Sequence, residues 1–141
     1  MRIYGIVTVA LVALLTACSS PTPAGPGTAP ALDGTSWTVT AVKGTPTIPA
    51  SPPTMTFAAD RVSGTTGCNS YSAGYTSTAS GLSFSQAAMT AMACTDEPVM
   101  AQERAFSTAL GTITGARTAG AGLELLDVGQ SVVLTLATPP R

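Results

Sequence analysis

TDEPVMAQERAFSTALGTI (residues 95–113) is the one stretch of this chain whose apolar residues fall at helical spacing. Val99, Phe106, Leu110 and Ile113 recur at intervals of seven, four and three, which gathers them on one face of a 3.6-residue turn. Asp96 or Thr95 is placed to cap its start, and Pro98 fits a first turn. Asp96 and Glu97 suit the positive end of the helix dipole, and Gly111 or Gly115 is placed to stop the helix.

Outward from this segment the pattern changes to period two. In WTVTAV (37–42), Trp37, Val39 and Ala41 face one way and Thr38 and Thr40 the other, as in a half-buried strand. KGTPTIPASPP (43–53) cannot continue it, because proline lacks the ladder donor. Met55 and Phe57 alternate next, and AADRVSG (58–64) reads as a turn into a short strand through Val62. Tyr71, Ala73 and Tyr75 alternate, as do Leu82 and Phe84. LELLDVGQSVVLTL (123–136) reads as a hairpin with its turn at 127–130. The expected class is therefore mainly β, a β-rich α+β fold. It is a compact antiparallel barrel-like meander with one helix packed on it or closing it.

Composition narrows the function. The 141 residues contain no histidine, which removes the commonest general base and the imidazole ligands of most catalytic zinc sites. Charged residues are 9% of the chain and the net charge is −1, so no basic stripe for nucleic acid is available. No cofactor or metal motif is present.

The N-terminus reads as an export signal. Arg2 supplies the positive region, residues 3–15 form an apolar run broken by Gly5 and Thr8, and Leu15-Thr16-Ala17-Cys18 resembles a bacterial lipobox. An ordinary secretory signal is the alternative. Lipidation implies a signal peptide at 1–17, with Cys18 carrying a thioether-linked diacylglycerol that brings two chains, such as palmitate. Two lipid signals are what stable membrane anchoring requires. Residues 18–31, rich in Pro, Gly, Ser and Thr, form a tether with a reach on the order of 40 Å if extended. The folded domain spans 32–138. The expected location is the bacterial cell envelope, lipid-anchored, with the domain outside the cytoplasm.

Removing the lipidated Cys18 from the count leaves Cys68 and Cys94, and an exported pair is most simply a disulfide. A nucleophilic Cys68 would need a base, with only carboxylates or Lys43 to hand, and a metal would need more soft ligands.

LDGTSW (32–37), VSGTTGCNSYSAGY (62–75), MTAMACTDEPVMAQERAFSTAL (89–110) and LELL (123–126) together resemble the META, or HslJ-like, domain family. The resemblance covers essentially the whole folded part, in order. It implies a compact β-rich barrel-like fold with one helix, often carried on bacterial envelope lipoproteins. It also implies links to heat or antibiotic stress, with virulence or motility roles in some eukaryotic relatives, and carries over no catalytic activity. The family's motif falls here on Gly34, Thr35, Trp37, Gly64, Gly67, Cys68, Asn69, Tyr71, Thr90, Met92, Cys94, Glu103 and Phe106. The proline-rich stretch 45–53 departs from it, which predicts an irregular connection after the first strand.

Physically, Gly64 and Gly67 read as positions of positive φ or close packing, with a backbone anion nest as the alternative. Asn69 reads as a turn organiser, and Trp37 as a core residue or barrel-end plug. Glu103 lies on the apolar side of the helix and needs a partner, with Arg61, Arg104, Arg117 or backbone donors near Asn69 as candidates. The expected function is a non-enzymatic envelope module that binds an unknown envelope protein or small ligand, or supports the envelope under stress. The alternative is an extracytoplasmic hydrolase pairing Glu103 with Asp60, Asp96 or Asp127, which would need two carboxylates about 5–10 Å apart.

Overall fold

A computed structural model describes residues 29–140, so the expected signal peptide, Cys18 and most of the tether lie outside the described residues. The chain runs β1 (Ser36–Val42), β2 (Thr45–Pro46), β3 (Thr54–Ala58), β4 (Arg61–Thr65), β5 (Ser70–Thr78), β6 (Gly81–Phe84) and β7 (Ala88–Met89). It then forms α1 (Glu97–Leu110), β8 (Gly115–Ala119), β9 (Gly122–Leu126) and β10 (Val132–Ala137). All strand pairs are antiparallel, in the spatial order β6-β5-β4-β3-β1-β10-β9-β8, with β2 on β1 and β7 on β5. The mainly β class with one helix is as expected. The barrel is a loose description, because the edge strands β6 and β8 do not form a ladder. They meet where the Leu82 N–H donates to the Thr114 carbonyl at 2.9 Å.

The core fills the rolled sheet. Val39, Met55, Phe57, Val62, Leu125 and Leu134 are fully buried, and α1 adds Phe106 and Ala109. Tyr71 of β5 and Phe106 pack edge to face with ring centres 5.3 Å apart, the geometry that aromatic quadrupoles favour. The expected alternations of β3 and β5 hold: Met55, Phe57, Tyr71 and Ala73 are buried.

Four readings need correction. The alternation of β1 breaks at Thr40, where two residues of β1 face one step of β10 between the Val39–Leu136 and Ala41–Thr135 pairs. This bulge changes the phase of the strand, so Val42 is buried with Val39 while Trp37 and Ala41 are half-buried. The helix ends at Leu110, and Ile113 is buried beyond it. Asp96 is the N-cap residue but makes no side-chain capping bond, and Gly111 ends the helix at φ −72°, not in the left-handed region. Gly115 opens β8, a strand that the sequence pattern did not show.

The proline-rich connection is irregular, as expected, but anchored. Lys43 and Gly44, at φ 46° and 79°, turn the chain back so that β2 pairs with the end of β1. The segment that follows is tied to α1 by Gln102, whose Oε1 accepts the Ile48 N–H at 2.7 Å. Its Nε2 donates to the Ser51 carbonyl at 2.8 Å.

Candidate functional site

Several of the motif residues converge on a knot between the β4–β5 bend, the strand-to-helix connection and α1. Asn69 is its centre and is buried. Its side-chain Oδ1 accepts the Met92 N–H at 2.7 Å and the Thr90 hydroxyl at 2.8 Å, and its Nδ2 donates to the Met92 carbonyl at 3.2 Å. One amide side chain thus pairs with Met92 in both directions, as a neighbouring strand would. Met92 serves the motif through its backbone; its side chain is 60% exposed and is not part of the core.

Glu103 reaches the same bend from α1. Asn69 Nδ2 donates to Glu103 Oε2 at 2.9 Å and to Oε1 at 3.1 Å, and the Asn69 N–H donates to Oε2 at 3.2 Å. The buried Thr66 hydroxyl also donates to Oε2. Burial pulls the Glu103 carboxyl upward, but the hydrogen bonds from Thr66 and Asn69, helped by the Arg104 charge, outweigh it and hold it below the ordinary glutamate range. The arginine partners expected for Glu103 are engaged elsewhere. Arg61 donates to Ser72, Arg104 pairs with Glu97 at 2.8 Å, and Arg117 pairs with Glu124 at 2.6 Å.

Beside the knot, Cys68 and Cys94 sit at disulfide distance, with Cα atoms 6.1 Å apart across 26 positions of sequence. Gly67 needs its freedom twice over: φ is 101°, and a Cβ would lie 2.5 Å from the Ser51 carbonyl and 2.7 Å from Gln102 Nε2. Gly64 has no positive φ; a Cβ there would run into the Thr54 carbonyl, which also accepts the Tyr71 hydroxyl at 2.9 Å. Burial raises the Tyr71 pKa. At the start of the domain, Gly34 takes φ 74° and donates its N–H to Phe57 at 2.9 Å. The Trp37 indole donates to the Thr35 hydroxyl at 2.8 Å, and that hydroxyl donates to Leu32. Trp37 packs against the core half-buried.

The carboxylates named as partners for Glu103 sit in two turns and at the start of its own helix. Asp60 is in the β3–β4 turn, Asp96 at the N-cap of α1 and Asp127 in the β9–β10 turn, where its Oδ1 accepts from Gly129 and Ser131 at 2.9 and 3.0 Å. Among the described residues, no three His, Cys, Asp or Glu side chains gather as a metal site requires. Nor, among them, is any helix long and apolar enough to cross a membrane.

Two residues escaped the sequence reading. Thr66 was hidden because a threonine in a turn carries no signal of the partner across the chain. Gln102 stands beside Glu103 and clamps the loop, yet reads as an ordinary polar helix position.

The concave surfaces are not lined by Thr66, Asn69 or Glu103 themselves. A groove of about 750 Å³ runs between α1 and the β1–β2 hairpin, lined by Val42, Pro46, Ile48, Pro98, Ala101 and Ala105. Lys43 and Arg104 also line it, and no carboxylate does. A second cleft of about 590 Å³ is bordered by Asp33, Asp60 and Tyr75. The phenol there is raised in pKa by burial and by the two carboxylates.

The META domain family model matches residues 30–139. Among solved structures, the chain is similar to an NMR structure of a protein from Burkholderia xenovorans. That similarity has a TM-score of 0.66 and 29% identity, and covers 88% of this chain and 94% of that one. A second NMR structure shares the fold at a TM-score of 0.61 and 22% identity, over 76% of this chain and 91% of that one. None of the curated proteins matches the chain. Its glycine turns, paired cysteines, Asn69–Glu103 knot and strand order thus come with a family match over most of the chain, and the protein belongs to the META domain family.

Proposed function

We propose that this protein is a non-enzymatic binding module of the bacterial cell envelope, tethered through lipidated Cys18 and serving the envelope under stress. The observation that carries the reading is the saturation of Glu103. Both of its oxygens accept bonds from fixed internal donors, and the same donors lower its pKa. A general acid needs the opposite, a raised pKa and a free path to substrate. The knot therefore reads as a fastening that holds three segments in place, which leaves the concave surfaces for recognition. Membrane-associated protein or a small envelope ligand is the partner class; nucleic acid is not.

The test is capture from bacterial membranes by the lipidated chain, compared with Cys18→Ala. Lipidation predicts that Cys18→Ala moves to the aqueous phase in detergent partition, loses fatty-acid labelling and loses its membrane-derived partners. Retention of Cys18→Ala in the detergent phase would refute the anchor. Turnover of an envelope substrate that is abolished by Glu103→Gln would refute the non-enzymatic reading.

A further inference from the structure

The groove between α1 and the β1–β2 hairpin has a chemistry of its own. Its wall is short and aliphatic, and no aromatic ring lines it. Most of its uncharged polar groups are spent on the protein. Gln102 holds Ile48 and Ser51 at 2.7 and 2.8 Å, and the Thr47 hydroxyl donates to Val39 at 2.8 Å. The Thr47 N–H donates to Thr40 at 3.0 Å, and the Thr108 hydroxyl to Arg104 at 2.8 Å. Pro46 and Pro98 have no N–H to offer. An extended peptide needs backbone partners along its length, and this groove holds few for it. An aliphatic chain needs none.

The charges decide the other end of the ligand. Lys43 and Arg104 are two of the four basic residues among those described, and the groove contains no carboxylate of its own. Glu97 engages one nitrogen of Arg104 at 2.8 Å, which leaves the rest of the guanidinium free. The volume of about 750 Å³ lies within the roughly 300–1,000 Å³ of small-molecule sites. Pro98 to Thr108 spans about 15 Å of helix at 1.5 Å per residue, the length of a medium acyl chain.

We propose that this groove binds a single unbranched fatty-acid anion, its chain along Ala101 and Ala105 and its carboxylate between Lys43 and Arg104. The proposal rests on the binding-module reading and names its ligand class.

The test uses residues 29–141, which carry every described strand, the described helix, the cysteine pair and the whole family match. Sodium laurate is titrated below its micelle threshold by calorimetry, with amide shifts followed by NMR. Saturable binding at one site is expected, with shifts centred on Ile48, Ala101 and Ala105. Octanoate, four methylenes shorter, should bind weaker by on the order of a hundredfold. Lys43→Asn and Arg104→Gln should each weaken laurate by roughly three- to fivefold, and uncharged dodecanol should bind weaker than laurate. Ala105→Trp, at an exposed position, should abolish binding while melting like the parent. Ala101→Phe takes its place if the first variant fails to fold.

No saturable laurate binding overturns the proposal, as does undiminished binding by a folded groove-filling variant. Equal affinity for laurate and dodecanol overturns the assigned role of the two cations. Binding of a peptide alternating leucine with glutamate, without laurate binding, transfers the groove to a protein partner. Loss of laurate binding with capture of membrane partners intact sinks the acyl ligand and leaves the envelope reading standing.

Discussion

Replacing Glu103 separates its shape from its charge. Glu103→Gln can place its oxygen where Oε2 lies and keep the bonds from Thr66, Asn69 N and Asn69 Nδ2. The new amide would then face Asn69 Nδ2 only at the 3.1 Å Oε1 position. What is lost is the charge assistance, about 1 kcal/mol. Glu103→Leu removes every acceptor. Hydrogen bonds to a charged group contribute ~1.5–3 kcal/mol each, which over three donors suggests a large loss. The donors have second partners, however. Asn69 N–H keeps Thr66 Oγ1 at 2.9 Å, Thr66 Oγ1 keeps the Asn69 carbonyl at 3.1 Å, and Asn69 Nδ2 keeps Met92 at 3.2 Å. A net loss of about 3 kcal/mol is therefore expected. For a domain of roughly a hundred residues, these losses lower Tm by about 4 °C and 12 °C or somewhat more. Thermal melts by circular dichroism at pH 7 measure them. The pH dependence is a second readout. A carboxyl held below its ordinary value stabilises the fold fully above its unfolded pKa, near 4.5, and the contribution fades as pH falls through the lower folded value. The gap between parent and Glu103→Gln should therefore close in acid. If both variants melt within a degree of the parent, or the gap is unchanged at low pH, Glu103 is not the fastening described above.

Gly64→Ala should cost roughly 3 kcal/mol, because the new methyl meets the fixed Thr54 carbonyl, whereas Gly34→Ala, with open space around it, should cost only the ~1 kcal/mol of left-handed strain. Comparable melting temperatures for the two would contradict that ranking. Closing the loop between Cys68 and Cys94 is worth about 3.5 kcal/mol by chain entropy, so reduction should lower Tm by well over 10 °C; two titratable thiols in the natively exported protein would remove the cross-link from the account. Gln102→Leu should speed amide exchange at Ile48 by roughly tenfold with little change in the central strands, and unchanged exchange would mean that Gln102 does not hold the loop.

What the sequence disclosed and what it concealed divide along physical lines. Local periodicity was readable: Met55 and Phe57, Tyr71 and Ala73, and Val99, Phe106 and Leu110 are all buried at their expected spacing. So were the C-terminal hairpin and the family motif. Register was not readable. The bulge at Thr40 depends on how β10 lies beside β1, and only that pairing brings Val42 inward. β8 was missed because GARTA is an edge strand with no apolar alternation to bury; Arg117 and Thr118 face solvent or a surface pair. Glu103 meets the cysteine-bearing bend through Asn69, but an arginine search could not find Thr66, whose role exists only in three dimensions. Met92 shows the same limit in reverse. A fixed residue type suggests a working side chain, while the structure uses its backbone and leaves the thioether exposed.

The last strand in the sequence is not the last in space. β10 lies between β1 and β9, and the Thr40 hydroxyl reaches the Thr135 carbonyl across 95 positions of chain. From β1 the first half of the protein meanders outward to β6, and from β8 the second half works back inward. Until residues 132–137 are free to pair, there are two half-sheets and no middle. Loop closure over that distance is slow, and the apolar faces of β1 and β9 stay unpaired while it is pending. A chain synthesised only as far as β9 cannot finish this fold, because β10 supplies the partner of both half-sheets. In the exported protein proposed above, that same delay would keep the polypeptide threadable through a membrane channel until β10 has followed it across.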